Sequence, residues 1–189
     1  MLAVLQLIVQ PIRAQHNHTE PEPSASTVRR EPLAIPDVTL LDQNGKTIRF
    51  YSDLVKGHVA AVNFVFTTCT TICPVMAVNF KKLRELAGDS VHLISVSVDP
   101  QVDTPARLSA WAARFDVPAP WTLVTGSRPD VDRLLKSLGV FTADKLDHQA
   151  VVLIGSGIDN RWIRANALAP PSKLAELVAA VRADVKDAK

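Results

Sequence analysis

The chain alternates between continuous apolar runs and apolar residues at helical spacing. Residues 58–66 and 91–98 are almost wholly apolar between polar flanks, which is typical of strands buried on both faces of a parallel sheet. Shorter apolar segments predict further strands at 121–123 and 150–154. Asn44-Gly45, placed between two alternating segments, predicts a β-hairpin near the start of the folded part.

Apolar residues between these strands recur every three or four positions and predict amphipathic helices. We expect one helix after Pro74, one capped by Thr104, one over residues 131–138 and a last one capped by Ser172. A turn at 155–157 is expected to lead into one more, antiparallel edge strand. This alternation predicts a single α/β domain with a central, mostly parallel sheet, helices on both faces and the N-terminal hairpin.

The beginning of the chain differs in composition from the rest. Residues 2–9 form an apolar run that is shorter than the roughly 20 residues needed to span a bilayer but matches the apolar core of a signal peptide. We therefore expect residues 1–14 to be a signal peptide or a truncated membrane anchor. This predicts an exported protein that lies in the periplasm or faces it at the inner membrane, with membrane association through the N-terminus as one option.

Residues 15–34 are rich in proline, serine, threonine and glutamate and carry few apolar side chains. Such a segment buries too little surface to offset its chain entropy. We therefore expect a flexible tether here, followed by the folded domain at 35–189. His16 and His18 lie in this tether, where they either bind a metal ion together with a nearby amine or have no function.

The composition excludes several classes of protein. Hydrophobic residues make up 47% of the chain and charged residues 21%, which is enough apolar material for a core that needs no metal ion to fold. The formal net charge is +2 and the basic residues come in pairs rather than runs, so nucleic acid is not an expected partner. Only two cysteines are present, which argues against a disulfide scaffold.

Cys69 and Cys73 lie four positions apart, where the first buried strand ends and a helix begins. In open α/β sheets, binding sites form outside the carboxyl ends of the strands. Pro74 is expected at the first helical position, which makes Cys73 the predicted N-cap. A helix N-terminus favours the thiolate, so both cysteines are expected to deprotonate easily. Thiolates serve metal binding and disulfide exchange alike, and the spacing alone does not decide between them.

A third ligand would distinguish these two uses. Two thiolates prefer soft ions such as Cu(I) or Zn, and structural zinc takes four protein ligands, whereas two sulfurs and one imidazole suit Cu(I). His58 and His92 open the two buried strands and are expected at the opposite end of the sheet. His148 precedes the strand at 150–154, which in a thioredoxin-like topology runs antiparallel to the cysteine-bearing strand. His148 is therefore the predicted third ligand.

Three segments, FVFTTCTTICP, ISVSVDPQVDTP and DHQAVVLI, resemble the Sco/SenC family of thioredoxin-like copper proteins. The resemblance runs from about Asp37 to the final helix. It implies that Cys69, Cys73 and His148 bind one copper ion per chain, as Cu(I) or Cu(II). It also implies a metallochaperone that delivers copper to the dinuclear copper centre of cytochrome c oxidase, or keeps the cysteines of that centre reduced.

The resemblance further implies two partners: a copper-accepting subunit of cytochrome c oxidase or another copper enzyme, and an upstream copper donor. Two departures from the family pattern leave the acceptor open. Residues 155–157 stand where the family usually has an Asp-Pro-type turn, and Gln149 stands where a smaller residue is usual. Neither departure removes a ligand.

Two acidic residues near the predicted ligands each allow two interpretations. Asp99 ends the second buried strand at the same sheet edge as the cysteines. It either tunes the site from outside the ligand set or caps the turn at 100–104. Asp147 either orients the imidazole of His148 or faces solvent.

The main alternative function is enzymatic. A thiol-disulfide oxidoreductase would use Cys69 and Cys73 as its redox pair without metal, and His148 would then be dispensable. A thiol peroxidase on the same fold would need a proline and an arginine in the loop before Cys69, and the sequence has neither there. The metallochaperone and the oxidoreductase are not exclusive, because oxidation of Cys69 and Cys73 to a disulfide removes both sulfur ligands and makes copper loading depend on redox state.

Overall fold

The computed structural model describes residues 29–187. The strands are β1 (Glu31–Pro32), β2 (Thr39–Asp42), β3 (Thr47–Arg49), β4 (Val59–Val65), β5 (His92–Ser97), β6 (Trp121–Thr125), β7 (Val151–Ser156) and β8 (Arg161–Asn166). They form one sheet in the order β1-β8-β7-β4-β5-β6-β2-β3. The α-helices are α1 (Ile72–Ala87), α2 (Pro105–Arg114), α3 (Arg128–Ser137) and α4 (Pro171–Asp187), and shorter helical turns lie at Phe50–Val55, Gly88–Ser90 and Lys145–Asp147.

Strand β4 lies in the interior of the sheet, because a continuous apolar run is compatible with burial on both faces. Every residue of β4 is buried. Ala61 and Val65 pack into the core on one face, and Val62 and Phe64 pack into the core on the other. The strand predicted from this run is thereby confirmed.

The sheet is mixed rather than mostly parallel. β4, β5 and β6 run parallel to one another, whereas the other strand pairs within residues 29–187 are antiparallel. The hairpins β2–β3 and β7–β8 supply the antiparallel strands on the two sides of the parallel centre. The α/β class and the N-terminal hairpin are confirmed. The prediction of a mostly parallel sheet overestimates the number of parallel strands, because strands joined by a tight turn, such as β2–β3 and β7–β8, pair antiparallel.

Helices cover both faces of the sheet, as the sequence predicts. α1, α2 and α4 pack on one face through side chains such as Phe80, Leu108 and Val178. α3 packs on the other face through Leu134, in a core that the hairpin residue Leu40 also enters. The loops that leave the carboxyl ends of β4 and β5 lead into α1 and α2, so both helices begin at the same edge of the sheet.

Helix α1 begins earlier than predicted. Thr71 is its N-cap residue and Ile72 its first helical residue, so Cys73 lies inside the first turn and is not the N-cap. Pro74 is tolerated there because the first four amide groups of a helix have no intrahelical acceptor. The proline therefore indicates the first turn of the helix but not its first residue.

The other two predicted caps have different outcomes. Thr104 caps α2 as predicted, since its hydroxyl accepts a hydrogen bond from the Arg107 amide (3.3 Å). α4 already begins at Pro171, so Ser172 lies within the helix and is not its cap. Proline at the first helical position needs no hydrogen-bonded amide, which allows this earlier start.

The β7–β8 hairpin turns later than predicted. β7 continues through Gly155 to Ser156, and the chain turns at 157–160. Gly155 is required inside the strand because a Cβ atom there would lie 2.4 Å from Cδ2 of Trp162 on β8. This glycine reflects a close cross-strand contact rather than a turn.

The folded domain begins before the predicted position 35. Glu31–Pro32 forms β1 at the edge of the sheet and pairs with β8. Arg30 forms an ion pair with Asp159 (2.9 Å) and another with Asp184. A proline suits this position because an edge strand has one row of hydrogen-bonding groups that needs no partner strand. The last residues of the predicted tether thus belong to the domain.

The remaining N-terminal predictions concern residues that lie outside the described part of the chain. These are the signal peptide or truncated anchor at 1–14 and the part of the tether that contains His16 and His18. Within residues 29–187, no helix is both long enough and apolar enough to cross a membrane.

Candidate metal and thiol site

Cys69 and Cys73 lie together at the carboxyl end of β4. Cys69 is in the loop after the strand, where its amide donates a hydrogen bond to the Phe66 carbonyl (3.1 Å). Cys73 is in the first turn of α1, and its amide donates to Sγ of Cys69 (3.4 Å). Both residues are free, buried cysteines, and Sγ of Cys69 also lies 3.8 Å from the Thr71 hydroxyl oxygen. The loop and the helix N-terminus thus bring the two sulfur atoms together.

The two thiols differ in acidity. Burial raises the pKa of the Cys69 thiol, but hydrogen bonds from the Cys73 thiol and from the amides of Cys73 and Thr71 outweigh it and hold that pKa below its ordinary value. Burial, the largest cause, and the hydrogen bond to Cys69 raise the pKa of the Cys73 thiol to about 12. The prediction that both cysteines deprotonate easily is therefore wrong for Cys73. When the pair loses its first proton, Cys69 holds the negative charge.

A buried carboxylate, Asp103, fixes the start of the cysteine loop. It is 1% exposed and accepts hydrogen bonds from the Thr67 amide (3.1 Å), the Thr67 hydroxyl and the Ser97 hydroxyl (2.7 Å). Asp103 therefore ties the loop after β4 to the end of β5. Sequence reasoning missed this residue, although an acidic residue directly before the cap of a helix, just after a buried strand, is a usable signal.

His148 lies at the same end of β4 as the cysteines. Its Nε2 is 3.0 Å from the Phe64 carbonyl oxygen, and because a carbonyl only accepts, Nε2 carries the proton and Nδ1 keeps its lone pair in the neutral ring. The ring packs edge-on against Phe66, with 5.7 Å between centroids. Burial lowers the pKa of His148 below its ordinary value, although the hydrogen bond to Phe64 opposes this. Asp147 is exposed and faces solvent.

The described residues do not form a closed three-ligand set. Within residues 29–187, no group of three or more His, Cys, Asp and Glu side chains is arranged to hold a metal ion. The cysteines belong to the core on the α1 side of the sheet. His148 instead lines a cavity of about 100 Å³ together with Phe64, Phe141 and Arg164. The structure brings the cysteines together, and the role of His148 as a ligand stays a prediction.

The carboxylate of Asp99 binds the segment that carries His148. Asp99 is 8% exposed, and its side chain forms an ion pair with Lys145, whose Nζ lies 5.4 Å from the centroid of the Phe66 ring. The backbone carbonyl of Asp99, not its carboxylate, accepts hydrogen bonds in the following turn, from the amides of Val102 (3.0 Å) and Asp103 (2.9 Å). Lys145 had no local signal in the sequence, because this contact depends on tertiary structure.

His58 and His92 lie at the opposite end of the sheet, as predicted. His92 is the first residue of β5 and pairs with Ala60, near the start of β4. The two rings stack with 3.8 Å between their centroids. Burial and, secondly, the charge of His58 lower the pKa of His92. Neither histidine is placed to join the cysteines.

Comparisons with known proteins agree with the observed fold and motif. The SCO1/SenC family model matches residues 27–162. The SCO1 protein homolog of Bacillus subtilis is 37% identical over 92 residues, which cover 47% of this chain and 47% of that protein. The chain spans about half the length of the curated relatives it matches.

Two solved structures show the same thioredoxin-like α/β fold. Copper-bound ScoI of Bradyrhizobium japonicum is 27% identical with a TM-score of 0.63, over 79% of this chain and 98% of that one. BsSco, described as a member of the Sco family of cytochrome c oxidase assembly proteins with a disulfide switch, is 26% identical with a TM-score of 0.69, over 81% of this chain and 95% of that one. The predicted fold is thereby confirmed.

Proposed function

The chain belongs to the SCO1/SenC family, and we propose that it is a metallochaperone that binds one copper ion through Cys69, Cys73 and His148 and passes it to a partner protein. The observation that carries the proposal is the pair of neighbouring cysteines at the helix N-terminus, where the Cys73 amide donates a hydrogen bond to Sγ of Cys69 (3.4 Å). The copper-bound state of the related Bradyrhizobium japonicum ScoI supports copper as the cargo.

The cysteine pair suits a soft ion better than a structural zinc ion. Thiolates select Cu(I), zinc and iron–sulfur clusters, and structural zinc takes four protein ligands, one more than Cys69, Cys73 and His148 supply. Cys69 supplies the first thiolate because its pKa is lowered. Cys73 is protonated at neutral pH, since its pKa is about 12. Copper must therefore displace the Cys73 proton, and binding should release a proton to solvent.

His148 would complete the ligand set through Nδ1. Its hydrogen bond to the Phe64 carbonyl occupies Nε2, and its lowered pKa keeps the ring neutral at pH 7, which is the state that binds a metal ion. Because His148 is not part of a three-residue metal group in the described chain, joining the set requires the side chain or its loop to move. The Lys145–Asp99 ion pair restrains that loop. We propose that the cysteines capture copper first and that His148 follows.

We further propose an acceptor of the kind to which the Sco family is linked, a copper-receiving subunit of cytochrome c oxidase. The description of BsSco as one of the cytochrome c oxidase assembly proteins supports this choice. Transfer would exchange the sulfur ligands of this chain for those of the acceptor. The apolar run at 2–9 supports export of the protein to the compartment where such a centre is assembled.

A second candidate function is thiol-disulfide exchange, and the unequal acidity of the thiols favours it. The Cys69 thiolate would attack a disulfide of the partner and form a mixed disulfide, with one partner sulfur leaving as thiolate. Cys73 would then give up its proton and attack Cys69, which releases the second partner thiol. The partner is reduced, the pair of Cys69 and Cys73 is oxidised, and a separate reductant must restore it. This reaction does not involve His148.

An anaerobic Cu(I) competition titration of the reduced chain tests the proposal. We expect one tightly bound copper per chain, loss of this binding in Cys69→Ser and Cys73→Ser, and affinity weakened at least about tenfold in His148→Ala, since even indirect partners of metal ligands contribute this much. His58→Ala is the matched control, because His58 is exposed at the opposite end of the sheet, and it should leave the affinity unchanged.

The same variants distinguish the two candidate functions. The thiol-disulfide alternative predicts that His148→Ala reduces a partner disulfide at the wild-type rate and that Cu(I) affinity does not depend on His148. Copper binding that persists unchanged in Cys69→Ser would contradict the proposed copper site, whereas loss of partner-disulfide reduction is what the thiol-disulfide alternative predicts for this variant. A double variant, His16→Ala with His18→Ala, removes any contribution from the N-terminal histidines.

A further inference from the structure

A shallow groove runs along α2 beside the cysteine loop. Its volume is about 290 Å³, and it is lined by Thr67, Arg107, Ala110, Trp111 and Arg114. Thr67 stands two residues before Cys69, and Nε of Arg107 donates a hydrogen bond to its hydroxyl (3.4 Å). The groove therefore starts at the thiol site and follows the helix away from it.

The two arginines of the groove have no carboxylate partner. Within residues 29–187, neither Arg107 nor Arg114 forms an ion pair, and both are exposed. Two carboxylates near them in sequence are already engaged: Asp103 holds the cysteine loop, and Asp116 is paired with Lys81 (2.6 Å). The groove is thus a positive surface that the described chain does not neutralise.

The floor of the groove is a buried aromatic side chain. Trp111 lines the groove and is 4% exposed, so the surface that it leaves open lies between charged neighbours. Trp111 lies between the two arginines on one helix face, because positions i, i+4 and i+7 share a face.

We propose that this groove binds an acidic, extended segment of the protein that receives copper from this chain. This proposal rests on the proposed function. A segment bound in the groove would contact Thr67, which stands two residues before Cys69, and would therefore bring the acceptor close to the thiol site. Carboxylates are the groups that guanidinium recognises with paired hydrogen bonds. The overall formal charge of only +2 and the presence of two isolated arginines rather than a basic run do not favour nucleic acid.

The spacing of the arginines indicates the length of the acidic segment. Seven helical residues separate them along the axis by about 10 Å. In an extended chain, acidic side chains two and four positions apart lie on one side and are separated by about 7 and 13 Å. Arginine side chains are long and flexible, so they can reach carboxylates whose spacing differs from their own by about 3 Å. Three acidic residues at alternating positions therefore suffice to contact both guanidinium groups.

Fluorescence anisotropy of labelled peptides tests the groove directly. The probes are an acidic peptide with the core Glu-Thr-Glu-Thr-Glu and matched peptides in which glutamine or lysine replaces each glutamate. At low salt, we expect the full chain to bind the acidic peptide at least about tenfold more tightly than the glutamine peptide, and binding should weaken as salt rises. Equal affinity for the acidic and glutamine peptides would overturn the proposal.

Charge reversal locates the binding on the groove. The double variant Arg107→Glu with Arg114→Glu should lose about tenfold in affinity for the acidic peptide and gain affinity for the lysine peptide. Lys56→Glu is the control, because Lys56 is exposed before β4, at the far end of the sheet, and a single charge reversal there should have less than a twofold effect. A gain for the lysine peptide also shows that the double variant is folded. Equal losses in the control and the double variant would overturn the proposal.

The peptide assay is independent of copper. The groove variants should keep wild-type Cu(I) affinity, since neither arginine belongs to the predicted ligand set. Peptide binding without copper binding by the wild-type chain would contradict the proposed function and leave the acidic-segment site standing. Copper binding without selective peptide binding would overturn the site alone.

Discussion

The two ends of the parallel strands both carry metal-ligating side chains, but their surroundings differ. At the carboxyl ends, Cys69 and Cys73 lie at the N-terminus of α1, where the amide of Cys73 points at the sulfur of Cys69. At the amino ends, His58 and His92 stack face to face, and Nδ1 of His92 lies 3.3 Å from the Leu54 carbonyl. The cysteine end supports a negative charge with backbone donors, whereas at the histidine end burial and, secondly, the charge of His58 lower the pKa of His92.

This difference explains why ligand-type residues alone do not identify a site. Among residues 29–187, His58 and His92 belong to no group of three side chains that could hold a metal ion, and both cysteines lie at the other end of the sheet. The cysteine end combines two thiols and a hydrogen-bonded loop with the buried carboxylates of Asp99 and Asp103. Four experiments test this difference between the two ends of the sheet.

The largest expected effect concerns the reactivity of the two thiols. A pKa of about 12 for Cys73, against an ordinary value of 9.0, leaves roughly a thousandfold less thiolate at neutral pH than an ordinary cysteine has. We therefore expect alkylation of the native chain at pH 7 to label Cys69 first and almost completely before Cys73. Peptide mass spectrometry after short exposure to iodoacetamide measures this order. Urea-unfolded chain is the control and should label both cysteines alike; native labelling of Cys73 first would refute the charge assignment.

The next effect concerns the carboxylate that fixes the cysteine loop. Asp103→Ala leaves the Thr67 amide and the Ser97 hydroxyl without their acceptor, and we expect a loss of about 3 kcal/mol in the free energy of unfolding. Asp89→Ala is the control at the histidine end, because Asp89 is exposed and its ion pair with Arg84 should contribute less than about 1 kcal/mol. Urea denaturation of both variants gives the comparison. Equal losses would show that the cysteine loop needs no buried acceptor.

A smaller effect concerns the ion pair that restrains the His148 loop. Lys145→Met leaves the largely buried Asp99 carboxylate without its cation, so we expect a loss of about 1 kcal/mol and faster hydrogen exchange at residues 144–149. Lys56→Met, at the other end of the sheet, should change neither quantity. Unchanged exchange in the Lys145 variant would mean that the loop is held by packing against Phe66 rather than by charge.

The smallest effect is a dependence of stability on pH. Burial lowers the pKa of both His92 and His148 in the folded state. At pH values between these lowered pKa values and the ordinary value of 6.5, the unfolded chain therefore binds more protons than the folded chain does. Stability is therefore complete above about pH 6.5 and falls as the pH decreases through the lowered pKa values. Urea denaturation at several pH values should show a flatter curve for His92→Gln than for the wild type. His58→Gln should flatten it less, because burial outweighs the neighbouring charge at His92.

Local patterns predict most of the elements. The run at 58–66 gives β4 because a buried strand needs apolar side chains on both faces, and Thr104 caps α2 because its hydroxyl lies next to the helix amides that need an acceptor. The errors arise where pairing between strands decides. β1 depends on β8 across about 130 residues of sequence, and no local window contains that contact. Gly155 lies only seven positions before Trp162, but its place inside a strand depends on the register that puts the two residues opposite each other.

The α/β class, the hairpin and the position of the cysteine motif between a strand and a helix follow from the amino-acid sequence, because they depend on periodicity and on neighbouring residues. Which sulfur carries the charge depends on tertiary structure, since burial and hydrogen bonds distinguish the Cys69 thiol from the Cys73 thiol. Tertiary structure also brought Asp103 and Arg107 to Thr67 at the start of the cysteine loop, and Lys145 to Asp99. Electrostatic energies depend on distance and burial in space, and neither quantity is encoded in the spacing of residues along the chain.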